Sequence, residues 1–156
     1  MERIGYGQVE PTHLSAQRNG KIYAQLPAAG LDTIENGMFL KYDYANGAAN
    51  LTGEGEWLLV YNEVKTYEDR QTYKDFAMKK ADYVDGVMVP RLFKTDVGDI
   101  MITNCIKGEV TKNAYVAPAA DGYLTVGAKG DGMAWKVVAL TTMPDGQEAA
   151  KLQRVQ

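Results

Sequence analysis

The segment AWKVVALTTMPDGQEAAKLQRV, residues 134–155, is the clearest indication of β-structure in the chain. Its first eight residues, 134–141, are mostly apolar and include β-branched and aromatic side chains, which is typical of a strand. Asp145-Gly146 then predicts a hairpin turn, because glycine adopts the positive φ that such turns require. A final strand near residues 148–155 completes the predicted hairpin.

The same turn signal recurs along the chain, which contains seven Asn-Gly or Asp-Gly pairs. Both residues of such a pair tolerate positive φ, so the pairs predict type I′ turns between strands. Apolar runs beside them predict further strands at residues 21–26, 38–44, 56–61, 87–93, 99–106 and 123–126. Frequent turns and short strands together indicate a mainly β fold, either a small β-barrel or a β-sandwich.

Individual residues predict the position and the buried face of particular strands. Pro90 cannot donate a ladder hydrogen bond, so it predicts an edge or a bulge in the strand at 87–93. Ile100 and Ile102 alternate along their strand and are expected on its buried face together with Ile106. Trp57 and Trp135 begin apolar strands, and both are expected to be largely buried. The glycine-rich residues 127–132 precede a strand and are expected to form a hairpin loop.

The pattern divides the chain into three segments. Residues 1–30 contain scattered apolar positions with little periodicity and predict an irregular N-terminal arm. Residues 31–86 form a predicted β subdomain, with a short helix near 72–81 where apolar side chains follow helical spacing. Residues 87–156 form a predicted barrel-like subdomain. The arm buries too little to fold alone, so it either lies along the β domain or reaches a neighbouring subunit.

Composition limits the function classes. The 156 residues carry a net charge of −3, with one cysteine and one histidine. An acidic chain argues against binding nucleic acid through its phosphates, and one cysteine with one histidine excludes a closed four-ligand zinc site. No apolar run reaches membrane-spanning length, and the first residues lack the hydrophobic stretch of a signal peptide, so we expect synthesis in the cytoplasm and no membrane partner.

No catalytic motif is evident. His13 lies in the poorly patterned arm two residues from Ser15, and no nucleophile elbow accompanies them. We therefore expect a non-enzymatic protein with no cofactor and no metal. Two alternatives remain open. Glu54, Glu56, Glu63 and Asp99 are candidates for the paired carboxylates of a hydrolase. Tyr42, Tyr44 and Tyr61 are candidates for stacking platforms on a sheet face, although half-buried packing is the more ordinary use of tyrosine.

The whole pattern resembles that of head-decoration or capsid-stabilising proteins of tailed phages. The similarity is diffuse and is carried by the irregular arm and by residues 34–40, 57–64, 89–94, 97–100 and 135–152. It implies a non-enzymatic structural protein, present in many copies on the capsid surface of a virion. Its implied partners are the major capsid protein and copies of itself. A β-barrel module that binds a glycan or a host surface is the alternative function.

Ordering the arm has an entropic cost, so its apolar and basic side chains must gain contacts elsewhere. We expect those contacts on another subunit. The candidate subunit-contact residues are Arg3, Ile4, Tyr6, Leu14, Arg18 and Tyr23.

Overall fold

The computed structural model describes residues 1, 5–62 and 85–156 of the chain. Strands predominate in these residues, which confirms the mainly β fold class. The elements are β1 Val9–His13, α1 Ser15–Asn19, β2 Ile22–Tyr23, β3 Phe39–Asp43, β4 Ala48–Asn50, β5 Leu58–Val60, β6 Leu92–Phe93, β7 Ile100–Thr103, β8 Ile106–Lys107, β9 Tyr115–Pro118, β10 Leu124–Gly127, β11 Trp135–Thr142 and β12 Glu148–Arg154.

The predicted C-terminal hairpin is confirmed and lies inside a seven-stranded sheet of order β1-β7-β12-β11-β9-β10-β8. Strands β11 and β12 pair antiparallel from Trp135 opposite Arg154 to Thr142 opposite Glu148. Strand β10 pairs with β9, and β11 lies on the other side of β9. Residues 127–132 therefore connect two strands that are not neighbours, and the prediction of a hairpin loop there is wrong.

Only some of the predicted turns connect paired strands, and Asn19-Gly20 instead ends α1. The predicted type I′ geometry is also wrong. Among the residues that the structure describes, Asn113 is the only non-glycine residue with positive φ. The Asn or Asp of each pair therefore keeps negative φ, and only the glycine can take the left-handed conformation. In the β11–β12 connection, Gly146 has φ 88°, and its N–H donates to the carbonyl oxygen of Met143 at 2.8 Å. This is an ordinary β-turn followed by a left-handed glycine.

The second sheet has five strands in the order β2-β6-β5-β3-β4. Side chains of its three inner strands alternate between two separate apolar clusters, because successive residues of a strand point to opposite faces. The face toward the seven-stranded sheet carries Phe39, Leu59 and Phe93, which join the cluster containing Trp135, Val137 and Leu152. The opposite face carries Leu40, Tyr42, Leu58, Val60 and Leu92, which join Ala28 and Ile34.

The inner strands of this sheet are therefore buried on both faces. Strand β5 is central, and its run at 56–61 is apolar on both faces, which is typical of a central strand. The run at 38–44 alternates apolar and charged residues toward its end, which is typical of a half-buried strand, yet Phe39 and Leu40 are both fully buried on opposite faces. The outer face is covered by the chain itself, since the N–H of Ala49 donates to the carbonyl oxygen of Pro27 at 2.8 Å and Ala28 bridges to Ala49.

Two strand orientations differ from expectation. In β7, Met101 and Thr103 are fully buried, whereas Ile100 and Ile102 are only partly buried, so the predicted facing of that strand is wrong. Residue type alone favours the isoleucines as core residues of β7. The pairing of β7 with β1 and β12 instead determines which of its side chains face the core. Pro90 is buried and precedes β6, which begins at Leu92 and is an inner strand. Pro90 therefore lies outside the ladder and marks neither an edge nor a bulge.

The two tryptophans have different environments. Trp135 is fully buried, as predicted, and its ring centroid lies 6.2 Å from that of Phe39 in the other sheet. Trp57 precedes β5 and is only half-buried, with the Lys41 ammonium 4.5 Å from its ring centroid. Trp57 is therefore less buried than Trp135, although it packs against the same apolar cluster.

The described part of the N-terminal segment lies along its own domain. Strand β1 pairs antiparallel with β7, and Leu14 and Ala16 of the following turn and helix belong to the cluster between the sheets. The short helix α1 was not predicted, and the helix predicted near 72–81 lies outside the described residues. The five-stranded sheet takes strands from all three predicted segments, since β2 precedes residue 31 and β6 follows residue 86.

We expect Trp135→Ala to reduce the free energy of unfolding by about 3–5 kcal/mol, the usual loss for a large core aromatic. Trp57→Ala should cost only about 1–2 kcal/mol, because this side chain lies at the margin of the core and is only partly buried. Urea denaturation followed by circular dichroism measures both. Equal losses for the two variants would contradict the different burial of these side chains.

Gly122 and Gly146 provide a matched pair that tests close packing between the sheets. Both have positive φ, but a Cβ on Gly122 would lie 2.7 Å from the carbonyl oxygen of Phe39, whereas one on Gly146 would meet nothing within 4 Å. Gly146→Ala should cost about 1 kcal/mol for the backbone conformation alone. Gly122→Ala should cost about 1–3 kcal/mol more, because the neighbouring strand must move. Urea denaturation of both variants would reveal the difference, and equal costs would show that the contact is soft.

Candidate functional site

Buried polar groups fasten the N-terminal segment to the seven-stranded sheet. Thr103 and Asn104, both fully buried, hold Gln8 from two sides. The Thr103 hydroxyl donates to the carbonyl oxygen of Gln8 at 2.7 Å, and the Gln8 N–H donates to Asn104 Oδ1 at 2.7 Å. The Gln8 side-chain amide donates to Asp145 at 3.0 Å, in the turn between β11 and β12. These hydrogen bonds fix the chain before β1 begins.

A second set of polar contacts holds the N-terminal segment at the start of α1. The Ser15 hydroxyl lies 2.9 Å from a carboxylate oxygen of Asp99 and 3.0 Å from one of Asp96. Asp99 is buried and also accepts the backbone N–H of Asp96 at 3.0 Å. Because a buried carboxylate needs such partners, Asp99 belongs to the framework and is not exposed for acid–base chemistry.

A third polar contact joins the segment to both sheets at Glu35. Its carboxylate is almost fully buried and accepts the Tyr123 hydroxyl at 2.7 Å. The Gly7 N–H donates to its other oxygen at 3.4 Å. Tyr123 lies in the β9–β10 hairpin and Glu35 precedes β3. The Glu35 side chain therefore links this hairpin of the seven-stranded sheet, the residues before β3 and the N-terminal segment.

Two of these polar contacts, Gln8 with Asp145 and Ser15 with Asp96, involve carboxylates whose pKa values are lowered. Hydrogen bonds from the Gln8 amide and from the Gln147 backbone and side chain lower the pKa of Asp145 below its usual value. The Ser15 hydroxyl does the same for Asp96, with a further contribution from the Lys94 ammonium. In both cases the charged carboxylate accepts the hydrogen bond, so protonation weakens the attachment of the N-terminal segment.

The candidate subunit-contact residues are not gathered on one surface. Leu14 is 4% exposed and packs in the core of its own chain, so it is not available to another subunit. Tyr6 is half-buried, and Arg18 is exposed on α1. Arg3 and Ile4 lie outside the described residues.

Tyr23, the remaining contact candidate, lies in a groove of about 240 Å³ that we call the tyrosine groove. Its lining residues are Tyr23, Tyr42, Tyr44, Glu54, Gly55, Glu56, Leu58 and Lys94. The Tyr42 ring is central: its centroid lies 5.5 Å from that of Tyr23 and 5.7 Å from that of Tyr44, at interplanar angles of 63° and 89°. Tyr44 is 72% exposed, whereas Tyr42 is buried.

The tyrosine groove forms where β3 extends beyond β5. Strand β3 pairs with β5 only at Phe39 and Leu40, and its later residues pair with β4. Residues 54–56 therefore lie beside Tyr42 in place of a continued strand. The i, i+2 spacing of Tyr42 and Tyr44 indicates their common face, but the approach of Tyr23 depends on the pairing of β2 with β6 and has no local signal.

Of the carboxylates considered for a hydrolase, Glu54 and Glu56 both line the tyrosine groove, where Glu56 pairs with the Lys94 ammonium at 3.5 Å. Asp99 lies apart from the groove lining and is buried beside Ser15. Glu63 lies outside the described residues. Tyr61 packs against Phe93, with ring centroids 5.4 Å apart, and takes no part in the tyrosine groove. Within residues 1, 5–62 and 85–156, no three His, Cys, Asp or Glu side chains cluster as a metal site would require.

No family model, curated protein or solved structure matches the chain. In the part of the chain that the structure describes, no helix is long and apolar enough to cross a membrane.

Acidification should loosen the N-terminal attachment. The folded-state pKa values of Asp96 and Asp145 are lowered, so their stabilising contribution is present above the unfolded value of about 3.9 and is lost as pH falls through the folded values. We expect the urea midpoint to decrease between about pH 5 and pH 3. Asp145→Asn should reduce that decrease, whereas Asp131→Asn on an exposed loop should leave it unchanged. An identical pH profile for all three proteins would rule out Asp145 as a contributor.

Proposed function

We propose that the chain is a non-enzymatic structural protein of a tailed-phage virion, which decorates or cements the capsid surface. In this role it contacts the major capsid protein and copies of itself. The proposal combines the resemblance in sequence with the mainly β, two-sheet architecture. The observation that carries it is the fixed N-terminal edge: β1 is an end strand of the seven-stranded sheet and is fastened by buried polar groups.

A fixed edge suits a protein that binds a lattice. A flexible arm loses conformational entropy when it docks, whereas a segment already held by Asn104, Thr103 and Asp99 loses little. The outer side of β1 and the adjacent α1 present exposed Glu10, His13 and Arg18, a mixture of charges typical of the polar rim of a non-obligate interface. Modest contacts of this kind become strong when many copies bind one shell.

Binding to capsid shells tests the proposal. Purified chain is mixed with empty shells of the major capsid protein encoded in the same genome, and the bound fraction is measured by co-sedimentation. Light scattering after size-exclusion chromatography measures self-association of the chain alone. We expect saturable binding at micromolar or lower concentrations.

Charge reversal at Arg18 localises the contact. Arg18→Glu should weaken shell binding at least about tenfold, which corresponds to roughly 1.4 kcal/mol. Lys129→Glu makes the same change of sign on an exposed loop between β10 and β11, and it should leave binding unchanged. Absence of shell binding by the unmodified chain at about 10 µM would refute the capsid role, and equal effects of the two variants would place the contact elsewhere.

A further inference from the structure

The tyrosine groove has the properties of a small binding site at the surface. Its floor is rigid: the buried Tyr42 accepts the backbone N–H of Gln25 on its hydroxyl at 3.2 Å, which holds the ring in place. Its outer wall is the largely exposed ring of Tyr44. Because the Tyr44 ring is exposed beside the buried Tyr42 and the partly buried Tyr23, apolar surface remains uncovered that a ligand can bury.

Ring orientation distinguishes between ligand classes. Sugars and bases stack on flat ring faces, so a platform for them needs accessible and roughly coplanar rings. Here Tyr23 and Tyr44 stand at 63° and 89° to Tyr42. Rings at steep angles form walls around a space, which is the arrangement that surrounds organic cations.

The charge of the lining also favours a cation. Glu54 and Glu56 supply two carboxylates and Lys94 one ammonium, which leaves one net negative charge. The Lys94 ammonium lies 3.5 Å from Glu56 and 3.4 Å from Asp96, so two carboxylates already share it. Glu54 is exposed and forms no ion pair with any residue in the described part of the chain.

We infer that the tyrosine groove binds an arginine side chain presented by a partner protein. The planar guanidinium can lie against the Tyr44 ring and donate paired N–H groups to the Glu54 carboxylate. A quaternary ammonium gains the aromatic contacts but cannot donate to Glu54. Arginine therefore uses both features of the groove, the aromatic walls and the unpaired carboxylate.

The arginine site and the capsid role are tested separately. Binding of an arginine side chain requires no virion, so absence of shell binding leaves the groove assignment standing. Conversely, an empty groove leaves the fixed N-terminal edge and its proposed contacts unaffected.

NMR titration of the full chain tests the assignment. The probe is the peptide Ac-Gly-Arg-Gly-NH2, and the matched control peptide contains citrulline, which keeps the shape of arginine without its charge. We expect shifts confined to Tyr23, Tyr44 and residues 54–56, with a Kd on the order of millimolar for arginine and several-fold weaker binding for citrulline. Choline and maltotriose are titrated in parallel as an ammonium without donors and a sugar.

Four variants separate the contributions of ring and charge. Tyr44→Ala and Glu54→Gln should each weaken arginine binding about threefold or more, and Tyr44→Phe should retain it, because the ring face remains. Lys94→Gln should strengthen binding about twofold by removing a like charge. Spectra of each free variant verify that the fold is retained.

Several results would overturn the assignment. Equal binding of the arginine and citrulline peptides would show that charge is irrelevant, and shifts outside the groove would place the site elsewhere. Choline binding as tight as arginine would remove the role of Glu54. Maltotriose binding without peptide binding would make the groove a glycan site and favour a host-surface module.

Discussion

The fold depends on three adjacent strands, β3, β5 and β6, that must bury both faces at once. Alternation along each strand sends Phe39, Leu59 and Phe93 to one apolar cluster and their neighbours to the other. A one-residue slip in register would exchange the two sets, so both clusters constrain the same register. The seven-stranded sheet covers one face, and residues 26–34 together with Met88 cover the other.

Burial on both faces forces close backbone contacts between layers. The Phe39 N–H donates to the carbonyl oxygen of Gly122 at 2.7 Å, which attaches the tip of the β9–β10 hairpin to the second sheet. At the other crossing point, a Cβ on Gly37 would lie 2.6 Å from the Cβ of Cys105. Only glycine leaves room for such an approach, and both glycines also take positive φ. Their Asn-Gly and Asp-Gly contexts therefore serve packing between layers as well as chain reversal.

Local pattern was sufficient for the mainly β class, the C-terminal hairpin and the burial of Trp135. It failed where pairing partners decide the outcome. In β7, residue type favours Ile100 and Ile102 as core, but pairing with β1 and β12 turns Met101 and Thr103 inward. The N-terminal segment looked unstructured because its apolar residues lack periodicity, yet Leu14 and Ala16 fill space between the sheets. It also makes polar contacts with distant residues, such as Gln8 with Asn104, which no local pattern encodes.

The tyrosine groove was only partly foreseeable for the same reason, and its position has a consequence for function. Tyr42 and Tyr44 continue the alternation that fills the outer cluster with Leu40, but the sheet ends between them. Exposure therefore rises from 8% at Tyr42 to 72% at Tyr44 within two residues. Tyr42 belongs to the core, so its removal would cost stability, whereas Tyr44 contributes little to folding and keeps its ring accessible. A binding surface that begins where a core ends can change its outermost ring without disturbing the fold, which makes ligand preference and stability separable at this site.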